Sequence, residues 1–164
     1  MGNLVQKYHI DYFVETWTYE WDTTQIISKL VKVVYTIELA KYYYDLAVIR
    51  FKNQRNIILL CGDSWEKLSE VFNSSLNDRC LIFLDGHYSG WETAKGKTDC
   101  PIFWELEKIK KHHIKNHIIV IDDVRLIWVD IHYPDMKNLI DFLLSINEKY
   151  SIRIQYDSLI AEAK

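Results

Sequence analysis

The stretch FVETWTYEWDTTQ (residues 13–25) reads as a buried strand that runs through a tight turn into a capped helix. Phe13 and Val14 supply the apolar strand, and Asp22 with Gln25 three residues later has the reciprocal spacing of a helix N-terminus. The connecting turn carries Trp17, Tyr19 and Trp21. Turns at this place ordinarily use glycine, because the backbone must take positive φ or let a ligand come close.

Outward from this segment, short apolar runs alternate with helical patterns, as in a parallel sheet covered by helices. The runs at 12–15, 33–38, 57–61, 80–84 and 117–121 are almost continuously apolar, which predicts strands buried on both faces. Helices are predicted over about 23–32, 40–52, 65–74, 101–113 and 135–147. In the fourth, Pro101 sits at the first turn and Ile102, Phe103, Leu106 and Ile109 form the apolar face. The tail YSIRIQYDSLIAEA (150–163) alternates apolar and polar residues around Tyr156 and Asp157, which predicts a closing antiparallel hairpin. The longest loop, GHYSGWETAKGKTD (86–99), follows the fourth strand and is a candidate lid.

A chain of 164 residues has the length of one domain, 1–164, and can bury about 70% of its unfolded surface. Hydrophobic residues at 49% and charged residues at 26% are those of a soluble globular protein, and no apolar run approaches the roughly 20 residues of a membrane span. The first ten residues lack a basic segment followed by an apolar one, so no signal peptide is expected. Cys61, Cys80 and Cys100 are an odd set without metal-ligand pairing, which favours a reducing, cytoplasmic setting. A formal charge of −3 gives no support to a nucleic-acid partner, and the basic run at 108–115 is read as solvating a helix end.

Every core strand ends near a carboxylate: Glu15 with Thr16, Glu38, Asp63 with Ser64, Asp85 with His87, and Asp122 with Asp123. Any one of them has an ordinary explanation as a helix cap; all five at one sheet edge point to a site. Glu38 lies about 20 residues beyond the first turn, where an acidic side chain can take both hydroxyls of a bound ribose. A nucleoside-containing cofactor is therefore expected.

The segments FVETWTYEWDTT, YTIEL, LLCGDS, IFLDGHYSG, TAKG and VIDDVRL, taken in order, resemble the signatures of class I S-adenosylmethionine-dependent methyltransferases. Within that class the chain is similar to the branch of the macrocin and novobiocin O-methyltransferases. The resemblance covers about residues 12–163 and implies a Rossmann-like α/β sandwich of about seven strands, mostly parallel, in the order 3-2-1-4-5-7-6. The family opens on E-x-G-x-G-x-G, for which Glu15 is in place while positions 17 and 21 are tryptophan. Trp65, Trp91 and Trp128 also stand where the family has glycine, so five of the six tryptophans share this property. The chain has 5 glycines where an average composition would give about 11. One economical cause is a codon, UGA, that means glycine in some variant codes and tryptophan in others. The other reading is that the indoles are genuine and the chain is a degenerate methyltransferase fold, a binding or interaction module. Trp104, on a polar helix face with Glu107, Lys108 and Lys111, is set apart as a true tryptophan.

Carried over residue by residue, the resemblance assigns Glu15, Thr16 and the position of Trp17 to the methionine end of S-adenosylmethionine, and counts Trp21 among the cofactor-binding positions of the same turn. It assigns Glu38 to the ribose and Asp63 with Ser64 to the adenine edge, with Asp85 adjacent. His87, Asp122 and Asp123 match the positions of divalent-metal ligands, and His87, Asp85 and Asp122 the catalytic positions. A bound Mg²⁺ or Mn²⁺ would lower the pKa of a substrate hydroxyl. His87 departs from the family's aspartate, which shifts metal preference away from Mg²⁺, or makes His87 a metal-free general base. For Asp122 and Asp123 the alternative is a cap plus a salt bridge to Arg125. His112, His113 and His117 are read as surface or helix-end residues. A nicotinamide enzyme would need G-x-G-x-x-G, whereas glycines at 17 and 21 would give G-x-x-x-G. The implied substrate is a small-molecule hydroxyl; sugar, phenol, small acid and macromolecule all stay open, as does the oligomeric state.

Overall fold

A computed structural model describes residues 1–18, 21–74, 76–85 and 100–163. His87, Trp91 and the rest of the 86–99 loop lie outside the described residues, as does Tyr19 of the first turn.

The elements are α1 (Gly2–Tyr8), β1 (Tyr12–Glu15), α2 (Asp22–Ile27), β2 (Val33–Glu38), α3 (Lys41–Phe51), β3 (Ile57–Cys61), α4 (Ser64–Asn73), β4 (Cys80–Leu84), α5 (Ile102–Lys111), β5 (Ile118–Ile121), α6 (Met136–Ile146), β6 (Ser151–Gln155) and β7 (Ser158–Glu162). The sheet runs β3-β2-β1-β4-β5-β7-β6, with β7 and β6 antiparallel and the other five strands parallel. That is the predicted order, hairpin included.

Burial on both faces explains the near-continuous apolar strands. Cys80, Ile82 and Leu84 of β4 face a core shared with Leu68 and Val71 of α4, Leu106 and Ile109 of α5, and Leu139 and Leu143 of α6. Leu81 and Phe83 face the other side, against Leu4 and Val5 of α1 and Ile27 of α2. Fully burying one such side chain contributes about 1.5–3 kcal/mol, so these two layers fix the strand positions. Among the described residues no helix is long and apolar enough to cross a membrane.

Three local features differ from the sequence expectations. The first helix, α1, is not signalled by the sequence: no side chain caps it, and it is held by the burial of Leu4 and Val5. The cap of α2 is Trp21, in the left-handed region at φ 66°, so Asp22 does not act as the cap. That helix also ends at Ile27, short of 32, because the amides of Lys32 and Val33 turn to the carbonyl of Asp11 (2.9 and 3.0 Å) and draw the chain into β2. After β5 a 3-10 turn spans Val124–Trp128.

The reading of the histidines is corrected as well. His113 is exposed, whereas His112 and His117 are buried. The backbone N–H of Cys80 donates to His117 Nδ1 (3.1 Å), which requires the proton of that ring on Nε2. His117 Nε2–H then donates to His112 Nδ1 (2.8 Å), and His112 Nε2–H to the carbonyl of Leu76 (3.2 Å). Phe72 stacks on both rings, at 4.8 and 5.9 Å between centroids. The chain of donors closes only if both rings are neutral. Burial, then the neighbouring His112, holds His117 down to about 3, and burial lowers His112.

An unfolded histidine takes up its proton near pH 6.5, so between about 6.5 and 3 the folded chain binds fewer protons than the unfolded one. The stability contributed by the neutral pair is complete above about pH 6.5 and is lost as the pH falls towards 3. In His117→Asn, whose side-chain oxygen can still accept from Cys80, thermal melts should lose less stability over this window than the parent. Parallel pH profiles of the two melting temperatures would show that the pair does not titrate with folding.

Candidate functional site

The strand order turns back at β1: β2 and β3 lie on one side of it, β4 and the rest on the other. In open parallel sheets the crevice beyond the carboxyl ends at such a point receives ligands. Glu15 and Thr16 occupy that point, both buried.

The carboxylate of Glu15 accepts from two threonines. Thr24 of α2 and Thr36 of β2 donate to Glu15 Oε2, Thr36 at 3.0 Å, and Thr18 bonds Thr36 at 2.7 Å. Burial nevertheless outweighs these donors and pushes Glu15 up to about 7. Glu38, 1% exposed, ends β2 and accepts from the backbone N–H of Ala40 (2.7 Å). Its carbonyl accepts from the amide of Gly62 (2.9 Å). Gly62 has φ 140°, a conformation that L side chains rarely adopt, so the backbone of the turn into α4 favours glycine. Asp63 takes the N-cap position of α4 without a capping bond from its side chain, and Ser64 is buried beside it.

At the end of β4, the amide of Asp85 donates to Thr16 Oγ1 (3.2 Å). Burial, with Asp122, Asp123, Glu15 and Glu105 around it, pushes the Asp85 carboxyl up to about 8. Beyond β5, Asp122 Oδ1 accepts from Ser158 (2.6 Å) and its carbonyl from the Tyr133 hydroxyl (2.6 Å). Asp123, at φ 56°, pairs with Arg125 (2.5 Å), the arrangement expected of a structural pair. Among the described residues no group of three His, Cys, Asp or Glu side chains could hold a metal ion. His87, the third member of the expected ligand set, is outside them.

The first turn encloses a cavity of about 150 Å³ lined by Glu15, Trp17, Thr18, Trp21, Asp22, Thr23, Phe83 and Asp85. Pockets for cofactors usually measure about 300–1,000 Å³. The two indoles occupy the wall where a ligand would lie, and Trp21 is covered by the Arg50 guanidinium at 5.2 Å. Trp21 Nε1 is buried without a hydrogen-bond partner.

One site residue has no counterpart among the sequence candidates. Glu105, in the first turn of α5, is fully buried, and neither carboxylate oxygen has a hydrogen bond. Burial pushes it up to about 7, and the nearby Ser64 and Thr16 hydroxyls oppose that rise without meeting hydrogen-bond geometry. A buried acceptor left without a donor costs about 1–3 kcal/mol. The signal was present in the sequence: Ile102, Glu105, Leu106 and Ile109 stand at i, i+3, i+4 and i+7, so a glutamate occupies the apolar face. Thr36, polar in the middle of an apolar strand, was equally visible. Thr18 and Thr24 carry no such mark.

No protein-family model matches the chain, and neither does the sequence of any curated protein. Solved structures do match in fold. A candidate caffeoyl-CoA O-methyltransferase from Staphylococcus aureus superimposes with a TM-score of 0.61 at 12% identity, covering 99% of this chain and 80% of that one. The N-methyltransferase NodS from Bradyrhizobium japonicum gives 0.57 at 13% identity, with 94% and 87% covered. A candidate methyltransferase from Streptococcus mutans, in complex with SAH, gives 0.56 at 11% identity, with 93% and 88% covered. The chain shares the Rossmann-like methyltransferase fold.

The electrostatics of the site have a measurable consequence. An unfolded aspartate ionises near 3.9 but Asp85 in the fold only near 8, so the folded chain binds the extra proton between these values. Its contribution to stability is complete below about pH 4 and is lost as the pH rises to 8. In Asp85→Asn, the melting temperature relative to the parent should therefore climb across pH 4–8, by about 2–4 °C for each kcal/mol relieved. A constant difference over that range would mean that Asp85 ionises as an ordinary carboxylate.

Proposed function

We propose that the chain is built as a class I S-adenosylmethionine-dependent methyltransferase, of the branch similar to the macrocin and novobiocin O-methyltransferases, that methylates a hydroxyl of a small molecule. The observation that carries this reading is the gathering of Glu15, Thr16, Glu38, Asp63, Ser64 and Asp85 at the carboxyl edge where the sheet order turns back. S-adenosylmethionine, when bound, supplies an electrophilic methyl group. In this reading Glu38 accepts from the ribose hydroxyls, and Ser64 with Asp63 meets the base. Thr16 fixes the backbone of Asp85 and so ties the cofactor turn to the acceptor side. Asp85 can take a hydroxyl proton only as its carboxylate, so turnover through it rises as the pH approaches 8. His87 is the other candidate base.

Metal assistance is a separate part of the proposal. It requires His87 to join Asp122 and Asp123 around an ion that would compete with Ser158 and Arg125 for the carboxylate oxygens. Full activity in a chelator would remove it, and equal metal content after dialysis with His87→Ala would remove His87 as a ligand.

The small cavity supports a second reading. On this reading the indoles at 17 and 21, which line the cavity, obstruct the cofactor's amino-acid end, and the chain would act as a degenerate binding or interaction module. The first reading requires glycine at 17, 21, 65, 91 and 128, through UGA decoding. Sequencing those five codons in the gene decides the origin, and calorimetric titration with S-adenosylmethionine decides the consequence. A protein made with the five glycines should bind at least roughly thirty-fold more tightly than the chain as written. That factor combines overpacking of about 1–3 kcal/mol with about 1–2 kcal/mol for a left-handed residue other than glycine. Equal affinity would show that the indoles are tolerated, and binding by neither form would leave the binding module.

A further inference from the structure

The cavity at the first turn, about 150 Å³, is below the range of whole-cofactor pockets, yet it is more than a packing gap. A cavity of about that size holds a molecule as large as benzene. Two indoles, Trp17 and Trp21, and the ring of Phe83 share its wall with the carboxyl groups of Glu15, Asp22 and Asp85. Glu15 is 1% exposed; its Oε2 takes both threonines, and its Oε1 receives no hydrogen bond from a described residue. Among the described ion pairs none is made to Glu15, Asp22 or Asp85.

Ring faces and carboxyl oxygens attract the same thing, positive charge. A compact metal ion does not suit this wall, because among the described residues no three His, Cys, Asp or Glu side chains are grouped to hold one. A primary ammonium or a guanidinium needs an acceptor for each N–H, whereas Trp17, Trp21 and Phe83 offer ring faces and no strong acceptor. A quaternary ammonium group spreads its charge over methyl groups, has no N–H to satisfy and is comparable to benzene in bulk. A cation in the cavity also favours the ionised form of the carboxyl groups around it. Arg50, which is not one of the lining residues, already lies over the Trp21 ring at 5.2 Å, and its charge makes Trp17 the stronger wall for a second cation.

We infer that the chain, with its tryptophans as written, binds a quaternary ammonium group between Trp17, Trp21 and Phe83, with Glu15, Asp22 and Asp85 as counter-charges. This rests on the binding-module reading, whose ligand it names. It gives the indoles a task at a turn where Trp21 keeps a left-handed backbone and a buried, unbonded Nε1.

The test titrates choline, acetyl-trimethyllysine amide and 3,3-dimethyl-1-butanol calorimetrically into the chain as written and into the five-glycine form. The alcohol has the shape of choline without its charge. The chain as written should bind choline or the trimethyllysine probe saturably, the tighter of the two naming the carrier, and should bind the alcohol at least about 10-fold more weakly than choline. Trp17→Leu, apolar but without a ring, should weaken the bound cation roughly 3- to 30-fold, the range for a cation over an aromatic face. Trp17→Phe should keep most of the affinity. Asp22→Asn, at an exposed position where folding is not at stake, should weaken it about 2- to 5-fold. The five-glycine form should show no saturable binding of either cation. Absence of binding by the chain as written, equal affinity for choline and the alcohol, unchanged affinity in Trp17→Leu and Asp22→Asn, or equal binding by the five-glycine form would each overturn the inference. If the codons specify tryptophan and S-adenosylmethionine does not bind, the binding-module reading survives such a failure. Tight binding of S-adenosylmethionine by the chain as written would overturn that reading and this inference with it.

Discussion

The structure depends on a carboxylate that its central strand forces into the interior. β1 is the central strand of a sheet packed on both faces, and its last side chain, Glu15, is 1% exposed. A desolvated carboxylate must find donors or keep its proton. Thr24 and Thr36 supply two donors, and the raised pKa shows that two are not enough. The placement of α2 follows from this, because Thr24 must reach back over the strand end. The backbone of the first turn is therefore constrained at both ends.

The same constraint organises the rest of the edge. Glu15, Asp85 and Glu105 are all pushed well above the ordinary carboxylate range, each mainly by burial. Among the described ion pairs, Lys67 meets Glu70 and Lys137 meets Asp141 away from the edge, and Arg125 reaches it at Asp123. Such exposed pairs add about 0–1 kcal/mol each, and none of them is made to Glu15, Asp85 or Glu105. A donor-bearing or cationic ligand would meet acceptors already desolvated, and the cost of stripping their water would not fall on binding.

Sequence alone located what local pattern determines. β1, β2, β3 and β4 were legible to the residue, because each apolar run is bounded by a turn, and β7 with β6 was legible from strict alternation. α1 was not, since its stability comes from Leu4 and Val5 meeting Phe13 and Leu81, contacts with no local signature. His112 and His117 were misread for a similar reason. Each looks like a helix-end or strand-end polar residue, and only the packing of α5 against the start of β5 brings the rings together. In the site, the strand-end carboxylates were visible because topology places them. Thr36 and Glu105 were marked by their apolar settings, but that Thr36 serves Glu15 and that Glu105 stays without a donor, like the parts played by Thr18 and Thr24, emerges only once the elements are docked.

The tryptophans separate into positions where glycine is demanded by backbone and positions where it is only tolerated. Trp21 is held at φ 66°, a conformation that disfavours a β-carbon by about 1–2 kcal/mol, and its indole nitrogen is buried without a partner. Trp17 has no such backbone, and its conflict with function is one of space, since it lines the cavity at the cofactor turn. Trp65 sits in the first turn of α4, edge-on to Trp104 at 5.4 Å with Lys108 above it, and disturbs neither. Trp128 is 81% exposed at the end of the 3-10 turn and meets no steric limit. An indole therefore costs these four described positions unequal amounts, and most at 21, where a left-handed backbone, an unsatisfied N–H and the wall of the cavity coincide.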